Sequence, residues 1–186
     1  MNVSRLRRHV RLPWPGVAAV VVGIAFLTWG WSWIASALPD GEPVRPGTHF
    51  PLGDEARVTV PHRGWEMSES DSTADISYRL TRGEVDVIFS YAVLAAEDSD
   101  AWAGAAALLR LADRTLGPAQ PATVDGLPAR VGRVSGGGDV GTLTVVAPKG
   151  DQWSVTTAVL GPPDAAAGDR AAARALVGSL DVKEAP

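Results

Sequence analysis

Two histidines lie near each other in the sequence, and histidine is the side chain that most readily binds metal ions or moves protons near neutral pH. His49 and His62 flank the acidic residues Asp54 and Glu55, so this segment holds four donors that divalent metals accept. The histidine spacing matches no ligand motif, and the chain contains no cysteine. We therefore interpret both histidines as solvated, and we predict no metal site and no cofactor.

Acid–base catalysis would need two carboxylates that act together. Glu84 and Asp86 stand two residues apart in a predicted strand, which places them on one face of it. The chain has neither a cysteine nor a Gly-x-Ser-x-Gly motif that would indicate a nucleophile. We interpret the two carboxylates as a solvated strand face and predict no catalytic residue. An envelope hydrolase with a carboxylate site is the alternative.

Two further polar segments have structural explanations. The glycine-rich stretch from Ser135 to Asp139 could hold an anion, but phosphate-binding loops lead into a helix and here a strand pattern follows. A hairpin loop is predicted instead. Glu97, Asp98 and Asp100 could bind a cation, but acidic residues also stabilise the N-terminus of a helix. We interpret them as the start of a helix.

Trp65 follows His62 and Arg63 in a predicted turn. Tryptophan and arginine are enriched among the residues that dominate binding energy at interfaces, so these three residues form the candidate partner contact. For Trp65 this role depends on exposure, because a tryptophan is usually packed in the core. Trp102 and Trp153 are predicted to be core residues.

Charge divides the chain into a basic head and an acidic body. Four arginines between Arg5 and Arg11 come first, and an uncharged apolar run follows them. From Pro39 onward, 13 basic and 21 acidic side chains give a net charge of −8. Nucleic-acid binding needs a basic surface, so we predict no nucleic-acid partner. The length of 186 residues allows one domain with an appended segment.

The apolar run covers residues 16–38. As a helix it would be about 34 Å long, enough to cross a hydrocarbon core of about 30 Å. Tryptophan favours the membrane interface, and four tryptophans lie at the two ends of the run: Trp14, Trp29, Trp31 and Trp33. We predict a transmembrane helix, an uncleaved signal anchor, with these tryptophans at the interfaces. The basic residues 1–15 would remain in the cytoplasm.

A cleaved signal peptide is the alternative. Its basic region would contain the arginines, its apolar region would be Val17 to Leu27, and cleavage would follow Ala37 in Ala35-Ser36-Ala37. Three tryptophans just before the cut are atypical of a signal peptide, so the single-pass anchor is preferred. Both interpretations place the C-terminal domain outside the cytoplasm, because arginines are retained on the inner side.

Residues 39–51 hold four prolines and two glycines, which predicts an extended linker unable to join a helix or a central strand. Residues 52–186 then alternate apolar and polar residues in short segments, a pattern typical of antiparallel strands. Two helices interrupt the strands. This order predicts an α+β domain, an antiparallel sheet with two packed helices that could cover one face or both.

The first helix is predicted at about 100–116, with Ser99 or Asp98 as its N-cap and its end at Gly117. The second is predicted at about 164–177. Their packing positions follow helical spacing: Trp102, Ala105, Leu109, Ala112 and Leu116 in the first, and Ala167, Ala171 and Ala175 with Leu176 or Leu180 in the second.

Four short features connect this pattern to a known family. They are the corner from Pro61 to Trp65, Val124-Asp125-Gly126 before a strand, Trp153 in the next-to-last strand, and Ser179-Leu180 near the end. With the order of elements over residues 48–182, they resemble the PsbP-like α/β/α sandwich of LpqN-type exported proteins from actinobacteria. The resemblance implies a docking or accessory module at the membrane, with no catalytic residues to transfer. Those proteins typically carry a lipid-modified cysteine, which this chain lacks.

These expectations describe a membrane-anchored extracytoplasmic binding or accessory domain, non-catalytic, that contacts the lipid bilayer and docks to an envelope or membrane protein or to a ligand. The alternatives are a secreted protein cleaved after Ala37 and the carboxylate hydrolase.

We expect the full-length protein to stay with membranes through a carbonate wash, because an apolar helix of this length is held by the bilayer itself. Immunoblots of washed membranes and supernatants check this. A mature N-terminus at Leu38, detected by N-terminal sequencing or mass spectrometry, would contradict the anchor.

Overall fold

The computed structural model describes residues 41–94, 100–148 and 152–183. The predicted cytoplasmic segment 1–15, the predicted span 16–38 and its four interface tryptophans lie outside these ranges, so they stay predictions. Within the described ranges, no helix has the length and apolar character needed to cross a membrane. A compact unit begins at Gly41.

A large antiparallel sheet forms the centre of this unit. Eight of its strands follow one another in space as β1 (Gly41–Val44), β4 (Trp65–Ser68), β5 (Ser77–Arg82), β6 (Val85–Val93), β11 (Trp153–Gly161), β10 (Asp139–Val146), β9 (Leu127–Gly136) and β7 (Thr115–Leu116). A further strand, β8 (Gln120–Val124), pairs with the same edge of β9 as β7 does, farther along it. A smaller antiparallel sheet contains β12 (Leu180–Val182), β3 (Ala56–Thr59) and β2 (His49–Leu52) in that order.

The two helices lie on opposite faces of the large sheet. Successive side chains of a strand point to opposite faces, and on β6 Val87 packs in one apolar cluster while Ile88 packs in the other. Helix α1 (Ala101–Leu111) covers the Ile88 face. Helix α2 (Ala167–Val177) and the small sheet cover the Val87 face. The prediction of an α+β fold is thus confirmed. Of the two arrangements left open, the structure has the one in which helices cover both faces of the sheet.

Helix α1 is shorter than predicted. Its N-cap is Asp100, whose Oδ1 accepts a hydrogen bond from the Trp102 N–H at 3.1 Å; the proposed caps at positions 98 and 99 lie outside the described residues. The helix ends at Leu111, and Asp113 soon after adopts a left-handed conformation with φ +53°. Leu116 still packs on the same apolar cluster, but from β7.

The buried face of α2 matches the predicted packing positions at Leu176 but not at Ala167 and Ala171. Ala167 and Ala171 are exposed, whereas Ala172, Ala173 and Leu176 are buried against the large sheet and the small one. Alanine occurs all around this helix, so its apolar pattern does not select a face. The position of Leu176, the bulkiest of the buried residues, agrees with the face that is observed.

The predicted linker is largely part of the domain. Gly41–Val44 is β1, paired with β4, and His49–Leu52 is β2, paired with β3. The prolines Pro43 and Pro51 are tolerated because both strands lie at sheet edges, where a missing N–H costs no ladder bond on the open side. The domain therefore includes strands from the segment 41–51 that was predicted to be a linker.

Gly132 of β9 lies under the indole ring of Trp102. A Cβ at this position would stand 2.7 Å from Cη2 of that ring and 3.2 Å from the backbone oxygen of Gly117. The ring would have to shift away from the apolar cluster on which it packs. We expect Gly132→Ala to destabilise the fold by about 1–3 kcal/mol through overpacking. Urea unfolding of the full-length protein in detergent measures this.

Gly104 on α1 provides the matched control. A Cβ there meets nothing within 4 Å, and alanine is favoured over glycine in a helix by about 0.5–1 kcal/mol. Gly104→Ala should therefore stabilise the fold. Equal effects of the two substitutions would contradict the packing of Trp102 on Gly132.

Candidate functional site

The corner before β4 separates the three predicted contact residues. Gly64 has φ +88° and turns the chain into the strand, so that His62 and Arg63 remain exposed while Trp65 enters the sheet. Trp65 is 1 % exposed and packs in the core. Trp65 could contact a partner only if it were exposed, and it is not. Alternation along β4 directs Trp65 into the core and Glu66 toward solvent.

Arg82 lies beside this corner, at the end of β5. Its Nε is 3.1 Å from Oδ1 of Asp169 in the first turn of α2. Its Nη1 donates a hydrogen bond of 2.7 Å to the backbone carbonyl of Arg63. Gly83, with φ +57°, turns the chain toward β6 and lies so close to Asp169 that a Cβ here would displace the Asp169 carboxylate. Arg82 thus holds the corner, the β5–β6 turn and α2 together.

An open groove lies between the corner and α2. Its volume is about 420 Å³, and it is lined by His62, Arg63, Arg82, Gly168, Ala171 and Ala172. One wall carries basic side chains and the other wall, on the helix, carries only small ones. The structure therefore brings His62 and Arg63 together as the sequence suggested, and it adds an arginine and a helix face that sequence reasoning missed.

Local sequence patterns gave little indication that Arg82 and a face of α2 would join this site. Arg82 and Gly83 stand between two alternating segments, a pattern that predicts a hairpin turn, and the structure has that turn. The acceptors of Arg82 lie 19 and 87 residues away along the chain. The one usable signal was Asp169, an acidic residue near the start of the second predicted helix and in the first turn of α2 as observed.

The residues considered for metal binding do not form a common site. His49 Nδ1 is 2.9 Å from Oγ1 of Thr59 on the neighbouring strand, whereas His62 lines the groove. Among the described residues, no group of three or more histidine, cysteine or acidic side chains is placed to hold a metal ion. The structure does not bring the two histidines together with Asp54 and Glu55 as a set of metal ligands.

The carboxylates considered for acid–base catalysis do not form a facing pair. Glu84 lies in the exposed turn before β6. Asp86 accepts hydrogen bonds from Arg79 Nη2 at 2.6 Å and Thr81 Oγ1 at 2.7 Å. The hydrogen bond to Asp86 is the main cause that raises the pKa of Arg79 above its ordinary value. Asp86 therefore ties β5 to β6.

The glycine-rich stretch is a hairpin, as predicted. Ser135 and Gly136 belong to β9 and Asp139 begins β10, so the turn itself is Gly137-Gly138, both with positive φ. Asp139 Oδ2 lies 2.5 Å from Arg114 Nη2. Of the acidic cluster before α1, Asp100 is described, and it pairs with Arg130 at 3.1 Å in addition to capping the helix.

Comparison with solved structures supports the fold. The solution structure of the cyanobacterial PsbP protein (CyanoP) from Synechocystis matches with a TM-score of 0.50 and 11 % identity, covering 78 % of this chain and 99 % of that one. The Ran-binding protein Mog1p from Saccharomyces cerevisiae matches with a TM-score of 0.47 and 15 % identity, covering 76 % and 95 %. No protein-family model matches the chain, and no curated protein matches it either.

The chain therefore has a PsbP-like fold. At these identities the likeness concerns the arrangement of strands and helices and transfers neither a ligand nor a partner. The groove has to be interpreted from its own residues.

Tyr91 forms a separate titratable cluster at the junction of the two sheets. Its ring lies against Gly53, where φ is +60° and a Cβ would stand 2.6 Å from the ring. Burial, a hydrogen bond to the Glu55 carboxylate and the charges of Glu55 and Asp54 raise the pKa of Tyr91 to about 12. Because this value exceeds the unfolded value of about 10, the stabilisation is present below pH 10 and is lost as the pH rises toward 12.

We expect ultraviolet titration to show one of the two tyrosines of the chain ionising near pH 12, a component that Tyr91→Phe removes. Glu55→Gln should lower the pKa of Tyr91 without returning it to the ordinary value, because burial, the largest cause, remains. Glu42→Gln, at an exposed position in β1, is the control and should leave the titration unchanged. A return to the ordinary value in Glu55→Gln would contradict the role of burial.

Proposed function

We propose that the chain is a membrane-anchored extracytoplasmic binding module, non-catalytic, whose groove docks to an envelope or membrane protein. The observation that carries this proposal is the convergence of exposed His62 and Arg63 with Arg82 on one open groove. In binding sites, a few polar groups fix the orientation of the ligand and an apolar surface supplies contact area. The basic side chains and the helix wall of this groove provide these two elements.

The chemistry of the groove favours recognition over catalysis. Arginine stays protonated and cannot act as a proton acceptor under ordinary conditions, so Arg63 and Arg82 serve as permanently charged donors. The alternative hydrolase would use Asp86, but that carboxylate is bonded to Arg79 and Thr81 on β5. Releasing it would break two side-chain hydrogen bonds that join β5 and β6.

The proposed location is supported by the sequence. The arginines before the apolar run, the absence of charge within it and the tryptophans at its ends are the features that orient and hold a single membrane span. The acidic body after it would then lie outside the cytoplasm. A secreted form cleaved after Ala37 would carry the same groove.

We also propose an LpqN-type relationship within the PsbP-like fold, because its quoted features act as structural ties. Asp125, in the β8–β9 turn, accepts a hydrogen bond of 2.9 Å from the N–H of Val182. Ser179 Oγ donates to the carbonyl of Leu176 at 2.7 Å and accepts from the N–H of Thr59. These contacts join the closing strand β12 to both sheets, so short sequence signatures at these positions have a physical reason.

Site-specific photo-crosslinking in cells that express the chain tests the function. With benzoylphenylalanine at position 63, we expect a discrete protein adduct. At position 110, which is an exposed arginine on α1 and the matched control, we expect no such adduct. Equal adduct patterns at both positions, or none at position 63, would contradict docking through the groove.

External protease on spheroplasts tests the location separately. A C-terminal tag on the full-length protein should be removed from intact spheroplasts, because the domain would lie outside. Protection of the tag until the membrane is lysed would place the domain in the cytoplasm and end the proposal.

A further inference from the structure

We propose that the groove binds a carboxylate, and specifically an acidic side chain on a peptide segment of the partner. This inference rests on the proposed function, because it names the group that the binding module would recognise. Three properties of the groove lead to it: a fixed guanidinium, an uncompensated second one, and a wall of small side chains.

Arg82 is already held in position for an anion. Asp169 and the Arg63 carbonyl use its Nε and Nη1, and Nη2 makes no hydrogen bond to the described residues. The side chain is 28 % exposed, so it is fixed but still reachable from the groove. A donor that is ordered before binding loses little freedom on binding, which favours affinity.

The charge of the groove suits a single negative charge. Asp169 balances Arg82, whereas Arg63 has no acidic partner among the described residues. The excess is therefore one permanent positive charge, that of Arg63, and His62 also lines the groove. A monoanionic carboxylate matches this excess, but a dianionic phosphate would bring a second negative charge toward Asp169. Repulsion between like charges makes the phosphate the poorer ligand.

The opposite wall accommodates the rest of a peptide. Gly168, Ala171 and Ala172 present no side chain larger than a methyl group, and a Cβ at Gly168 would meet nothing within 4 Å. Backbone and aliphatic carbons can therefore lie along α2 while the carboxylate reaches the arginines. The groove volume of about 420 Å³ lies within the range of small-ligand sites.

Because the chain contains no cysteine, a single introduced thiol can report the potential inside the groove. Ala171→Cys places a thiol on the exposed wall, and Ala107→Cys, on the exposed side of α1 one turn before Arg110, is the control. The rates of two methanethiosulfonate reagents are compared on the full-length protein in detergent, one carrying a sulfonate and one a trimethylammonium group.

We expect the ratio of the sulfonate rate to the trimethylammonium rate to be about tenfold higher at the groove thiol than at the control. Arg63→Gln should bring the ratio at position 171 toward the control value, because only the backbone of Arg63 supports Arg82 and the fold is kept. Arg110→Gln should not change it. Equal ratios at positions 171 and 107 would overturn the proposal. Gly168→Cys provides a second thiol if Ala171→Cys fails to fold.

Protection of the thiol then tests the ligand. The peptide N-acetyl-Ala-Asp-Ala-amide should slow the reaction of Ala171→Cys with an uncharged methanethiosulfonate, whereas its asparagine analogue and inorganic phosphate should not. Equal protection by the asparagine analogue, or protection by phosphate alone, would overturn the carboxylate assignment. If either of these protection results came with a protein crosslink at position 63, the proposed binding function would stand. Only the assignment of a carboxylate ligand would be rejected.

Discussion

The structure depends on the fact that the central strands of the large sheet are apolar on both faces. Along β6 and β11, Val87 and Val155 pack in one cluster while Ile88 and Leu160 pack in the other. Each face must be removed from water, because buried apolar area is the main favourable term in folding. Helix α1 covers one face, and α2 with the small sheet covers the other. The groove is a product of this arrangement, because α2 covers its face from a start beside the β5–β6 turn, where Asp169 contacts Arg82.

Much of this architecture could be predicted because it depends on residues that are close together in the sequence. The alternation in β5 and β6, the turn at Gly83, and the Asp125-Gly126 turn before β9 depend on neighbours a few residues apart. The predicted linker was wrong for a related reason. Its prolines exclude a central strand, but β1 and β2 are edge strands, and edge position is a property of the whole sheet that no local window contains.

The site was harder to predict than the fold. His62 and Arg63 were found because they adjoin a tryptophan, yet Trp65 itself turned out to be a core residue. Arg82 escaped notice because its role comes from Asp169, which approaches only after α2 has packed. The face of α2 was also undecided by its alanines. Where side chains are alike on every side of a helix, the neighbours decide which of them is buried.

The edge strands limit how another protein can attach. Among the described residues, β1, β2 and β8 each contain a proline, Pro43, Pro51 and Pro121, while β7 and β12 are only two and three residues long. Proline supplies no N–H, and so short an edge provides few bonds, so the sheets are poor templates for an added strand. A companion protein would have to engage side chains and could not extend the backbone ladder. The same edges protect the folded domain from joining its own copies into fibres.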